Sequence, residues 1–145
     1  MTSLLYNALE NRIQEFEAQF PEISNERKII LNQLTRFIQA KKELNASIDL
    51  NFICTHNSRR SHIAQLWAQA AAAYYGIKNV RCFSGGTEAT AFNPRAVKAM
   101  QDAGFSITKT KEGENPVYEV RYADGEKPVI AFSKTYLQED LSLNF

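Results

Sequence analysis

The run Ile48-Asp-Leu-Asn-Phe-Ile-Cys54-Thr-His-Asn-Ser-Arg-Arg-Ser61 passes from a strand pattern to a helix pattern just after its cysteine. Apolar side chains alternate from Ile48 to Cys54, and Ile53 adds apolar character to the other face, as in a strand covered on both sides. A helical pattern then runs from about Arg59 to Tyr75, and Gly76 ends it. The run therefore predicts a strand, a tight loop and a helix.

The same order repeats downstream. Val80 to Phe83 is predicted to be the next strand, and Asn93-Pro94 is a good N-cap and first turn for a helix that stops at Gly104. A strand-helix-strand-helix order implies right-handed crossovers and a parallel sheet. The fold class is therefore predicted to be α/β, with a small parallel sheet and flanking helices.

Segments on either side of this unit add to it. Two amphipathic helices, separated at Pro21, are predicted before residue 46 as an N-terminal helical hairpin, with Ser24 capping the second helix. Their apolar stripes are expected to pack against each other or on the main domain. The main domain is predicted over residues 47–145, with a hairpin insertion at about 116–133 that turns at Asp124-Gly125.

Composition narrows the classes of function. Seventeen basic and sixteen acidic residues leave a formal charge of +1, so no global field recruits nucleic acid or an anionic membrane. Asn7 and Glu10 interrupt the N-terminus before it could be a signal peptide or membrane span. A cytoplasmic location is expected, where Cys54 and Cys82 stay as thiols. Neither a metal pattern nor a nucleotide-binding loop is found, so no metal and no cofactor are expected.

The loop after the first strand predicts an oxyanion site. Arg60 follows Cys54 by six positions, and the intervening amides can curl round a tetrahedral anion at the helix N-terminus. These donors, the helix dipole and Arg60 lower the pKa of Cys54 and favour a thiolate nucleophile. Ser61 can donate to the sulfur, so Cys54, Arg60 and Ser61 are the predicted catalytic residues. The predicted substrate-binding residues are Thr55, His56, Asn57, Ser58 and Arg59.

Several of these residues have plainer interpretations. Cys54 alone could be a small buried side chain at a strand end. Asn57 is expected to support the loop in a left-handed conformation. His56 either touches the anion or lies at the surface, whereas His62 is expected to face solvent. Cys82 is expected in the core rather than as a resolving thiol.

The string Cys54-Thr-His-Asn-Ser-Arg-Arg-Ser-His-Ile-Ala64 resembles the signature loop of the low-molecular-weight protein tyrosine phosphatase superfamily, which includes thiol-coupled arsenate reductases. Similarity continues through Ser84-Gly-Gly-Thr-Glu and Asn93-Pro-Arg-Ala-Val-Lys-Ala-Met100, to about residue 109. The resemblance implies Cys54 as nucleophile, Arg60 as anion clamp, Ser61 as thiolate stabiliser and Asn57 as loop support.

This chain also departs from the family pattern. Arg59 stands where many members have a second cysteine, and the chain has no Asp-Pro pair to supply the family's general acid. Asp102, Asp124 and Asp140 are not convincing substitutes. The resemblance implies a last strand and helix that the chain is expected to lack, as a fragment or a truncated or processed form.

Three functions follow from these residues. The leading one is a phosphatase that cleaves phosphomonoesters, such as phosphotyrosine-type substrates, through a cysteinyl-phosphate. The second is an arsenate reductase that uses the same thiolate with an external thiol or glutaredoxin. The third is an inactive oxyanion-binding or interaction module that binds phosphate or arsenate. The N-terminal hairpin is a candidate for dimer contacts in each case.

Overall fold

A computed structural model describes residues 5–137 of the chain. Asp140, considered above as an acid, lies outside this range. A short 3₁₀ turn, Phe20–Glu22, separates the first two helices. The helices and strands are α1 Asn7–Gln19, α2 Asn25–Glu43, β1 Ile48–Cys54, α3 Arg60–Tyr74, β2 Val80–Gly86, α4 Pro94–Ala103, β3 Ser106–Lys111, β4 Val117–Arg121 and β5 Val129–Ala131.

The predicted strand-loop-helix-strand unit is confirmed. Strands β1 and β2 pair in parallel, in a register that runs from Ile48 opposite Val80 to Cys54 opposite Gly86. Helix α3 connects them and packs on both. A parallel bridge between Gly86 and Thr135 then brings the chain after β5 to the same end of β2. The carboxyl ends of the two strands thus meet where the loop after Cys54 begins.

A second, antiparallel sheet has the order β3-β4-β5. Its β4-β5 pair is the predicted hairpin, and Val120 lies opposite Val129. Strand β3 was not predicted, because Ser106–Lys111 is mostly polar and exposed and carries no alternating apolar pattern. It pairs along the edge of β4, so the hairpin is part of a three-stranded sheet.

Helix α1 belongs to the main hydrophobic core. Leu9 and Ile13 are buried in one cluster with residues of α3, α4, β4 and β5. Trp67 on α3 packs edge-on against Phe16 of α1 and against Phe105, with ring centroids 5.2 and 5.1 Å away. The docking expected for the first helix is therefore observed, while the domain boundary after residue 46 stays a prediction.

Helix α2 does not follow the packing expectation. The Ser24 hydroxyl caps it by accepting from the Arg27 amide at 3.2 Å, as predicted, but the helix buries no side chain. Its apolar stripe is exposed at Ile30, Leu34 and Phe37, so packing of this stripe on α1 or on the main domain is wrong. Dimer contacts through the N-terminal helices stay a prediction. Over residues 5–137, no helix is long and apolar enough to cross a membrane.

Candidate active site

Cys54 lies at the last position of β1, beside a cavity of about 250 Å³. Its side chain is half-buried, and Arg59 and Arg60 at the start of α3 form the cationic part of the wall. Thr90, from the segment after β2, completes the wall and was not predicted. The full lining is Cys54, His56, Ser58, Arg59, Arg60 and Thr90.

The loop carbonyls are held away from the cavity by neighbouring segments. Polar groups of the chain between β2 and α4, and of the residue Ser133, accept this role as donors to three successive parts of the loop. The backbone amides are consequently left to face the cysteine. The bonds run from Thr87 N (2.8 Å) and Glu88 N (3.0 Å) to Thr55 O, from Ser133 Oγ to His56 O (2.8 Å), and from Asn93 N to Ser58 O (2.9 Å).

The sulfur of Cys54 is surrounded by donors. The Ser61 hydroxyl lies 3.0 Å from it, and the backbone amides of Ser61, Asn57 and Ser58 also hydrogen-bond to it. Burial alone raises the pKa of this thiol, but these hydrogen bonds outweigh burial and lower the pKa from 9.0 to about 7. About half of the protein would therefore carry a thiolate at pH 7, against about one hundredth for an unperturbed thiol.

Asn57 fixes the direction of the hydrogen bond that reaches the sulfur. It is fully buried and has a φ of 46°, the left-handed conformation expected for it. Its Nδ2 donates to Ser61 Oγ at 2.7 Å. Because the Ser61 oxygen accepts from Asn57, the Ser61 proton is free to be donated to Cys54.

The residues Ser133 and Lys134 support the loop from behind, and sequence reasoning missed both. Lys134 is fully buried, and its backbone amide donates to Asn57 Oδ1 at 3.0 Å. Its Nζ lies 3.3 Å from the same oxygen, 3.3 Å from Ser84 Oγ and 3.1 Å from Phe132 O. No local pattern marks these residues, because a polar Ser-Lys-Thr string reads as an exposed loop.

The other predicted residues have different surroundings. The side chains of Thr55 and Asn57 do not line the cavity, so any contact of theirs with an anion is through the backbone. His56 Nε2 lies 2.6 Å from Glu88 Oε1 at the exposed rim. Ser61 is buried beneath the cysteine. Over residues 5–137 no group of three or more His, Cys, Asp or Glu could hold a metal ion.

His62 corrects one prediction, and Cys82 confirms another. His62 is fully buried and stacks on Phe92, with ring centroids 4.2 Å apart, so the solvent-facing position expected for it is wrong. Burial, helped by the nearby charge of Lys134, lowers the pKa of His62 to about 3. Cys82 lies in the core as expected, and burial raises its pKa to about 12.

No aspartate of the described residues lines the cavity. Asp102 pairs with Lys98 along α4, and Asp49 pairs with Arg81 between the parallel strands. The carboxylate of Glu88 reaches the rim only through His56. This agrees with the missing Asp-Pro pair.

These features define a class of protein: an α/β chain that presents a cysteine thiolate in a loop of main-chain amides at a helix N-terminus. Residues 49–119 match the family model described as low molecular weight phosphotyrosine protein phosphatase. Through this segment the chain belongs to the low-molecular-weight protein tyrosine phosphatase superfamily, which includes arsenate reductases.

Curated relatives point to one branch of that superfamily. The arsenate reductase of Bacillus subtilis (strain 168) is 44% identical over 57 residues, which cover 39% of this chain and 38% of the relative. The arsenate reductase of Bacillus licheniformis is 46% identical over 59 residues, covering 40% and 39%. The arsenate reductase of Bacillus cereus (strain AH187) is 42% identical over 57 residues, covering 39% and 40%. The chain thus spans about two fifths of the length of these relatives. No solved structure matches it.

Proposed function

We propose that Cys54 attacks a tetrahedral oxyanion held by the loop, and that the oxyanion is arsenate, which an external thiol then helps to reduce. The observation that carries the proposal is the surrounding of the cysteine sulfur. A hydroxyl 3.0 Å away and three main-chain amides favour its thiolate. Arg59 and Arg60 stand on the wall that an anion would face.

The choice of arsenate has two supports. The relatives reported above are named arsenate reductases, and no carboxylic acid of the described residues lines the cavity. A phosphomonoester leaves as an alkoxide or phenoxide and benefits from protonation by an acid. Arsenate at neutral pH carries its own proton, so its departing oxygen can leave as water without a carboxylic acid. The geometry therefore favours arsenate over the phosphatase reading that leads from sequence alone.

The proposed chemistry uses Cys54 and two external thiols. In the first step the Cys54 sulfur forms a bond to arsenic, and an arsenic-oxygen bond breaks to release water. An external thiolate then attacks the Cys54 sulfur, the sulfur-arsenic bond breaks, and its electron pair leaves with arsenic as arsenite. A second thiol reduces the resulting mixed disulfide and restores Cys54. In total one arsenate and two thiols give arsenite, one disulfide and water.

The reducing thiol is proposed to be external because neither neighbour of Cys54 can take that part. Cys82 is buried, and its raised pKa of about 12 keeps it a protonated thiol. Position 59 is an arginine. A small thiol or a glutaredoxin is therefore the proposed partner. The cytoplasmic location expected from the sequence, where such thiols are abundant, stays a prediction.

Phosphatase activity is the second candidate, and the description of the matching family model favours it. Here Cys54 would form a cysteinyl-phosphate that water hydrolyses. Without an acid on the wall, aryl phosphates with good leaving groups should be turned over before alkyl phosphates.

One experiment separates these functions. The purified chain is given arsenate with glutathione, with and without glutaredoxin, and separately an aryl phosphate. Thiol-dependent arsenite release that disappears in Cys54→Ser and persists in Cys82→Ala supports the proposal. Aryl phosphate turnover without arsenite release would instead establish the phosphatase. Anion binding with neither turnover would leave an oxyanion-binding module and refute both enzymatic functions.

A further inference from the structure

A lysine side chain is buried directly behind the oxyanion loop. Lys134 is 0% exposed, and its Nζ has three oxygen acceptors, on Asn57, Ser84 and Phe132, at 3.1 to 3.3 Å. Three acceptors match the three protons of an ammonium group. Over residues 5–137 these acceptors are all uncharged, so the cation is held by oxygen dipoles and by the face of the Phe132 ring, 5.0 Å away.

The contact with Asn57 connects this lysine to the cysteine. Both Lys134 donors, the amide and the ammonium, point to Asn57 Oδ1. This fixes which end of the Asn57 amide faces Ser61, since Nδ2 must then point to Ser61 Oγ at 2.7 Å. Ser61 in turn has its proton left for the Cys54 sulfur at 3.0 Å. Donor and acceptor alternate without a break from Lys134 to Cys54.

We propose that Lys134 is a positioning residue: acting through Asn57, its ammonium keeps the Ser61 hydroxyl donating to Cys54 and so favours the thiolate. The inference rests on the proposed function in taking Cys54 as the nucleophile. It assigns a role in the site to the segment after β5, 77 residues from the loop in sequence. The loop is therefore completed by a distant part of the chain.

The electrostatic surroundings are consistent with this role. The titratable groups of the described residues that face the chain of hydrogen bonds are Cys54 on β1 and His62 on α3. Burial lowers the pKa of His62 to about 3, so His62 is neutral at pH 7. Burial lowers the pKa of Lys134 to about 7, in the range where Cys54 titrates. A thiolate at Cys54 stabilises the ammonium at Lys134, and the reverse holds equally.

The test compares variants that remove the charge and the donors separately. Lys134→Gln removes the charge and keeps a donor, whereas Lys134→Met removes both. Thiolate absorbance near 240 nm, followed against pH, gives the Cys54 pKa. We expect it to rise by about one unit in Lys134→Gln and by at least as much in Lys134→Met. Alkylation of Cys54 at pH 7 should slow about fivefold. Lys111→Gln, an exposed lysine on β3, is the matched control and should leave the Cys54 pKa unchanged.

A double variant distinguishes positioning from simple support. If Lys134 acts through Ser61, Lys134→Gln should add little to the pKa shift already caused by Ser61→Ala. Fully additive shifts would overturn the proposed route. A Cys54 pKa within about 0.3 units of wild type in folded Lys134→Gln would overturn the proposal itself.

A measurement on the unmodified sequence covers the case in which the variants do not fold. In protein labelled with ¹³C-lysine, one lysine should titrate near pH 7, and blocking Cys54 with iodoacetamide should lower its pKa. An unchanged titration would refute the coupling. These readouts need no turnover, so normal coupling with no arsenite release would refute only the proposed function. Arsenite release without coupling would refute only the role of Lys134.

Discussion

Gly86 is the position where a single methyl group should disable the loop. It lies opposite Cys54 in the parallel sheet. A Cβ on Gly86 would lie 2.7 Å from both Asn57 N and Thr55 O, and 3.0 Å from Glu88 O. Ordinary Cβ contacts begin at about 3.4 Å, so Gly86→Ala requires the loop backbone to move by about 0.7 Å. Backbone atoms, unlike the end of a flexible side chain, cannot give way separately.

The size of the effect follows from that displacement. Overpacking of this kind destabilises a protein by about 1–3 kcal/mol. Binding geometry tolerates about 0.5 Å, and a misplacement of about 1 Å can cost about a hundredfold. We expect arsenate affinity in Gly86→Ala, measured by titration calorimetry, to fall about tenfold or more.

Gly85→Ala is the matched control for this variant. Its Cβ would meet Tyr136 backbone atoms at 2.6 and 2.9 Å, on the side of β2 away from the loop. Urea unfolding should therefore show a similar loss of stability for Gly85→Ala and Gly86→Ala, but the loss of affinity should be much larger for Gly86→Ala. Equal affinities in the two variants, or wild-type affinity in a folded Gly86→Ala, would refute the reasoning.

Three further results are expected. Ser61→Ala should raise the Cys54 pKa by about one unit, because one hydrogen bond to a charged group is lost; Ser58→Ala, which keeps its backbone amide, should not. Cys82→Ala should retain thiol-dependent arsenite release, and its loss would show that Cys82 takes part. The His62 pKa is about 3 in the folded state against 6.5 ordinarily, so the unfolded state binds more protons between these values. Stability to urea should therefore fall from pH 6.5 toward pH 3, by about 1.4 kcal/mol per pH unit from this group. A variant His62→Gln with the same slope would contradict that assignment.

Local patterns predicted the part of the site that lies along one run of chain. The strand to Cys54, the left-handed Asn57 and the Ser61 contact with the sulfur all follow from neighbours in sequence and the needs of a helix N-terminus. Apolar alternation likewise located β4 and β5. These features are set by interactions within a few residues or within one crossover unit.

The misses involve residues whose surroundings are made by distant segments. Lys134 and Ser133 reach the loop only because the chain after β5 forms a bridge beside Gly86. His62 looked solvent-facing because its helical position alone does not reveal that Phe92 and Ser84 cover it. The exposed stripe of α2 shows the opposite case, since a periodic apolar pattern does not require that anything cover it.

The pH dependence of Cys54 alkylation, measured by intact mass with and without anions, tests the central claim most directly. Iodoacetamide should add one group, at Cys54, with a half-maximal rate near pH 7, and it should leave Cys82 unmodified. Phosphate and arsenate should slow the reaction, whereas chloride at the same ionic strength should not. A half-maximal rate near pH 9 with no protection by either anion would show that Cys54 is an ordinary thiol and would contradict the proposed oxyanion site.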